Sequence, residues 1–162
     1  MRKTKLIMVV AVMMMITTIP VFGSATDQGT VAATELTASE QMALEAVNLI
    51  NAQRTAAGIN ELIVNDDLMK SAAIRAEECV DKFSHERPDG SSFSTSVTFS
   101  GFTRIGENIA AGTHLNVESA VEIWMNSEGH KKNILDPNWT ETGIGFCITD
   151  GKVTTAQIFI KR

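Results

Sequence analysis

The chain has 162 residues, 14 Lys and Arg against 19 Asp and Glu, 44% apolar side chains and two cysteines. That length suits one domain with a real hydrophobic core, large enough to stand without a disulfide framework. The acidic balance argues against nucleic acid, or an anionic lipid surface, held through charge.

Residues 1–25 read as a cleaved secretory signal. Arg2, Lys3 and Lys5 precede an uncharged apolar run, Leu6 to Ile19. The small residues Gly23-Ser24-Ala25 then suit cleavage after Ala25, with a site after Gly23 as the alternative. At 14 residues the run is shorter than the roughly 20 that a membrane-spanning helix needs. Its removal takes three cations and no acid, leaving 137 residues with 11 basic and 19 acidic side chains, a net charge of −8. No later stretch is apolar for long enough to span a bilayer, so the mature chain is expected to carry no transmembrane segment. The setting implied is secreted and extracellular.

Residues 26–36 are small and polar without an apolar period and read as a flexible leader, so the domain is assigned to 37–162. Thr37 and Glu40 form a capping box ahead of an apolar face at Ala43, Val47 and Ile50, which predicts a helix over about 39–57, stopped at Gly58. Asn65 caps a second helix over about 67–82 with the stripe Leu68, Ala72, Ala76, Cys79 and Phe83. Glu77, Glu78, Asp81 and Lys82 read as its solvated face. From Ser84 to Thr113 the chain is rich in Ser, Thr and Gly with little periodicity, and it reads as a long functional loop containing a turn at Arg87-Pro88-Asp89-Gly90. Asn116 caps a third helix, about 117–126, with Val117, Val121 and Trp124 on its core side. A short helical turn follows at 130–135. Two strand-like segments, 142–149 and 152–160, flank Asp150-Gly151, which predicts a type I′ hairpin. Helices followed by a terminal hairpin indicate an α+β domain.

Cys79 and Cys147 are two thiols in an exported chain. A bridge between them and a pair of free buried thiols both fit, and the bridge is the reading carried forward.

The chemistry-bearing side chains fall in polar, glycine-flanked segments: His85, Glu107 and His130. Three arrangements of these residues stay open. They could ligate zinc or another divalent ion, Glu107 could orient a histidine that acts as a general base, or they could pin the long loop through a buried hydrogen-bond network. A nucleophile is less well supplied. Ser127 lacks a nucleophile-elbow context, and Cys79 lies on a core stripe where a thiol is inert. His114 precedes a helix and is expected in solvent, and Trp124 and Trp139 read as core anchors.

Four segments occur in a distinctive order: Phe83-Ser84-His85-Glu86-Arg87-Pro88-Asp89-Gly90, Gly106-Glu107-Asn108-Ile109-Ala110, Trp124-Met125-Asn126-Ser127-Glu128-Gly129-His130, and Thr142-Gly143-Ile144-Gly145-Phe146. Together they resemble the bacterial branch of the CAP superfamily (cysteine-rich secretory proteins, antigen 5 and pathogenesis-related 1 proteins; SCP domains) over roughly residues 42–160. The resemblance implies a three-layer α-β-α sandwich around a small antiparallel sheet. It also implies a cleft lined by two histidines and two acids, of which His85, Glu107 and His130 match three. The fourth acidic position is Ser127 here; Glu128 is adjacent but would face elsewhere on a continuing helix, and Asn108 neighbours Glu107. The implied function is binding of an extracellular ligand (a lipid, a peptide or a cell-surface component) in that cleft, with a divalent metal such as zinc as an open accompaniment. The alternative is an extracellular hydrolase, protease-like, assisted by metal or by His and Glu.

Overall fold

The computed structural model describes residues 35–162. The expected signal segment, and the leader up to residue 34, lie outside the described residues. The helix α1 (Ala38–Ala56) begins at the expected capping box: Thr37 accepts from the Glu40 N–H while the Glu40 carboxylate accepts from the Thr37 N–H. Strand β1 (Ile63–Val64) leads into α2 (Asp66–Asp81), capped by Asn65. After a 3-10 turn at Phe93–Ser96 come β2 (Arg104–Thr113), α3 (Val117–Asn126), α4 (Glu128–Ile134), β3 (Glu141–Thr149) and β4 (Lys152–Lys161).

The strands form one sheet in the order β1-β3-β4-β2. The hairpin β3–β4 and the pair β2–β4 are antiparallel, as expected for the sheet, whereas β1 joins β3 in parallel. Asp150 and Gly151 both take positive φ (50° and 75°), the type I′ geometry that their sequence predicts.

Helices cover both faces, giving the α-β-α layering. On one face α1, α3 and α4 enclose Val47, Ile50, Trp124, Ile134 and Phe159. On the other, Leu68 and Ala72 of α2 pack against Ile158 and Ile160 of β4. Gly143 and Gly145 make that second packing possible. A Cβ on Gly143 would meet the Leu68 backbone at 2.2 Å, and one on Gly145 the Ala73 nitrogen at 2.3 Å. The helix backbone therefore lies directly on β3, and only a residue without a side chain fits beneath it.

Four expectations need correction. The segment 104–113 is a strand, not loop: Glu107, Asn108, Ile109 and Ala110 are all buried, with neighbours on opposite faces of the sheet, so polar and apolar residues do not alternate and no long apolar run forms. The last short helix starts at Glu128, two residues before the expected start at His130. Phe83 is 53% exposed, because α2 ends at Asp81 and the chain turns off the helical stripe. Finally, Cys79 and Cys147 are free thiols. Cys79 is buried against Ile109 and Ala156, and Cys147 lies half-buried with its Sγ 3.5 Å from Thr149 Oγ1. Trp124 and Trp139 are buried anchors and His114 is exposed, as expected.

Candidate functional site

Strand β2 is an edge strand, and its alternation sends neighbouring side chains to opposite faces of the sheet. Glu107 points toward α2 and Asn108 toward α4. The edge is therefore where groups from both helical layers meet.

On the α2 side, His85 Nδ1 lies 2.7 Å from Glu107 Oε2. The other oxygen, Oε1, accepts from Arg75 Nε at 2.8 Å. The Arg75 and Glu107 side chains have no exposure, while that of His85 is 57% exposed. Arg75 spends its remaining donors on Glu78 Oε2 at 2.6 Å and on the Ser84 carbonyl, also at 2.6 Å. It therefore grips both the partner of the His85 ring and the peptide just before it. Burial opposes the Arg75 charge, but the hydrogen bonds to Glu107 and Glu78 outweigh it and hold the guanidinium above its ordinary pKa.

Glu78 extends the network. It receives Arg87 through Nε and Nη2 at 2.9 and 2.6 Å, and the Arg87 hydrogen bond, against burial, holds its carboxyl below the ordinary range. Arg87 reaches on to Thr95 Oγ1, and the Phe93 N–H bonds the His85 carbonyl at 3.0 Å. The loop that carries His85 is thus tied at both ends, and the Phe93 ring stands edge-on to the imidazole at 6.3 Å.

On the other side of β2, Asn108 Nδ2 donates to the His130 carbonyl at 3.2 Å, and Asn133 Nδ2 donates to Asn108 Oδ1 at 2.9 Å. These bonds hold α4 against the strand. His130 is half-buried and its Nδ1 is buried without a protein partner. Burial, helped by the neighbouring His85, lowers its pKa and favours the neutral ring.

The structure thus joins His85 to Glu107 directly, and His130 lies on the other side of β2, tied to Asn108 through its carbonyl. Asn108 belongs to the same assembly. Ser127 is the hinge between α3 and α4, half-buried and making no side-chain cap bond, and Glu128 is exposed in the first turn of α4. Glu78, read as solvated, instead bridges two arginines. Sequence reasoning misses Arg75, although its spacing could have found it: it lies three residues after Ala72 and four before Cys79, on the buried stripe of α2.

A metal held by His85, Glu107 and His130 does not fit these donors. Both Glu107 oxygens are engaged and the side chain has no exposed surface. Among the described residues, no three His, Cys, Asp or Glu side chains are grouped to hold an ion. Cys79 offers no nucleophile, since burial, only partly countered by Arg75, pushes its thiol pKa up.

Residues 47–159 match the cysteine-rich secretory protein family, CAP. The chain is 37% identical over 146 residues to the uncharacterized protein YkwD of Bacillus subtilis (strain 168), a match covering 88% of this chain and 55% of that protein. It is 46% identical over 61 residues to the uncharacterized membrane protein YlbC of the same strain, covering 38% of this chain and 16% of that protein. The chain thus spans about half the length of the first relative and far less of the second. Among solved structures, an extracellular protein containing a SCP domain from Bacillus anthracis str. Ames is 28% identical with a TM-score of 0.68, over 80% of this chain and 45% of that one. An outer surface protein from Borrelia burgdorferi shares the fold at 22% identity and a TM-score of 0.69, over 78% of this chain and 96% of that one.

Proposed function

The chain belongs to the cysteine-rich secretory protein (CAP) family, and from that premise we propose that it is an exported protein that binds an extracellular ligand in the cleft of His85, Glu107 and His130. The ligand classes are a lipid, a peptide or a cell-surface component. Export is supported by the charge and hydropathy of residues 1–25 and by the 28%-identical structural relative described as an extracellular protein. The observation that carries the binding reading is the buried Arg75–Glu107 pair beneath an exposed imidazole. An interior ion pair that orients one solvent-facing ring fixes a hydrogen-bonding group for something outside the fold.

Two measurements test it. The N-terminus of the exported protein should start near Ser24 or Thr26, and an intact Met1 would contradict processing. Labelled protein should bind whole cells saturably, and His85→Ala or His130→Ala should weaken that binding about tenfold at a temperature where both variants keep the native circular dichroism spectrum. Equal binding by all three proteins would contradict the cleft reading.

The 2.7 Å contact between His85 Nδ1 and Glu107 gives the hydrolase reading its one specific support. A carboxylate on Nδ1 leaves Nε2 free to take a proton from water, as a general base requires. Peptide turnover that disappears in both histidine variants would favour this reading over binding alone.

A further inference from the structure

The sheet has a second edge, on the side away from the cleft. Strand β1 pairs only with Glu141 and Thr142, so among the described residues β3 runs on from Gly143 to Thr149 with no strand outside it. The hairpin register, with Thr149 opposite Lys152, directs the odd-numbered residues of β3 to β4. The N–H and C=O groups of Ile144, Phe146 and Ile148 then face outward. The bonds from Ile63 N–H to Thr140 O and from Asn65 N–H to Thr142 O follow the same alternation. Just beyond β1, the Ile144 N–H meets the Met69 sulfur at 3.3 Å in place of a carbonyl.

A groove of about 370 Å³ opens over this edge between α1 and α2, lined mainly by Leu36, Leu44, Val64, Met69, Ala73 and Phe146. Ile148 continues the edge and is 52% exposed. Glu40 and Asp66 also line the groove, while the Lys70 ammonium there is already paired with Asp67 at 3.1 Å. The opening is apolar, edged by main-chain donors and acceptors, and negative at its mouth.

We propose that this groove is a docking site for an extended, basic-ended peptide that adds as a strand beside β3. Outward main-chain groups in an apolar slot call for an occupant that brings N–H and C=O groups of its own. An acyl chain would fill the volume and leave those groups without partners. Alternate apolar side chains of the peptide enter the groove, and a lysine at its end meets Glu40 and Asp66. The site stands apart from the His85 cleft, and neither depends on the other.

The test uses the full chain and a fluorescein-labelled peptide, acetyl-Lys-Ile-Thr-Ile-Thr-Ile-Lys-amide, followed by anisotropy. Two N-methylated versions block the alternate amides on one side or the other of the peptide strand. Saturable binding is expected, with one N-methylated version binding about tenfold more weakly and the other unchanged, since an added strand bonds through one side only. Replacing both lysines of the peptide by glutamate should weaken binding. In the chain, Ile148→Pro removes an outward N–H, which an edge strand tolerates, and Ala73→Phe fills the groove; each should lower affinity about tenfold. If Ile148→Pro fails to fold, Ala73→Phe and the N-methylated pair carry the same test. No saturable binding, equal binding of both N-methylated peptides, or a concentration-dependent dimer of the free chain that Ala73→Phe disrupts would each overturn the proposal.

Discussion

At the β2 edge the sheet ends in charge: Arg75 and Glu107 are buried without exposure, and the network passes outward through Glu78 and Arg87 on one side and His85 on the other. At the β3 edge it ends in main-chain groups beneath Met69, Ala73 and Phe146, with the helix α2 seated on two glycines. The same helix serves both, presenting Arg75 to one and Met69 and Ala73 to the other. A buried ion pair has a steep penalty for losing one partner, so the β2 edge has a fixed geometry. The β3 edge is held by close packing, and beyond the Ile144 N–H, which meets the Met69 sulfur, the outward main-chain groups of Phe146 and Ile148 have no partner among the described residues.

The largest difference should come from Arg75→Met. It strands the Glu107 carboxylate in the interior and should cost about 3–5 kcal/mol in urea unfolding. The double variant Arg75→Met with Glu107→Gln should recover much of that loss, because no unpaired charge remains. A single-variant cost under about 1 kcal/mol would mean that the pair is not interior.

Next in size is Gly145→Ala on β3. Its new Cβ would run into the α2 backbone, which cannot yield as a side chain can, and a loss of about 3 kcal/mol is expected. The same change at Gly129, where nothing lies within 4 Å, is the control and should be near neutral or stabilising. Equal effects at the two glycines would undo the packing explanation.

Stability should also fall with acid through His130. Its folded pKa lies below the ordinary 6.5, so below that pH the unfolded chain takes up a proton that the folded chain refuses. This contribution is fully present above 6.5 and is lost as pH falls from 6.5 toward the folded value. His130→Gln should flatten the pH dependence of unfolding in that window, and an unchanged slope would contradict the burial of the ring.

Smallest is Cys147→Ser, expected within about 0.5 kcal/mol of wild type, because a half-buried free thiol is removed and no cross-link is lost. Thiol titration of the unfolded chain without reductant should find both cysteines reactive. A cost of several kcal/mol would bring back the bridge.

Much of this molecule is legible in the sequence wherever a local rule decides. Thr37 with Glu40, Asn65, Asn116 and Asp150-Gly151 fix helix starts and a hairpin through caps and turn geometry alone. The strand β2 escapes because edge position and burial of Glu107 and Asn108 erase its period. Arg75 escapes for a related reason: an arginine among Glu77, Glu78 and Asp81 looks solvated, and only its place on the Ala72–Cys79 stripe marks it as interior. Glu78 then follows Arg75 inward. The pairing of His85 with Glu107, and the placing of His130 across the strand from them, rest on contacts separated by 22 residues or more, which no local pattern encodes.

The most direct test of the cleft is the tautomer of the neutral His85 ring, read from its nitrogen and carbon NMR shifts in wild type and Glu107→Gln. A buried carboxylate on Nδ1 should hold the proton there in the neutral ring, leaving Nε2 bare toward solvent, and Glu107→Gln should return the ring to an ordinary exposed tautomer mixture. An Nε2-protonated ring in the wild type, or identical spectra for the two proteins, would contradict the arrangement.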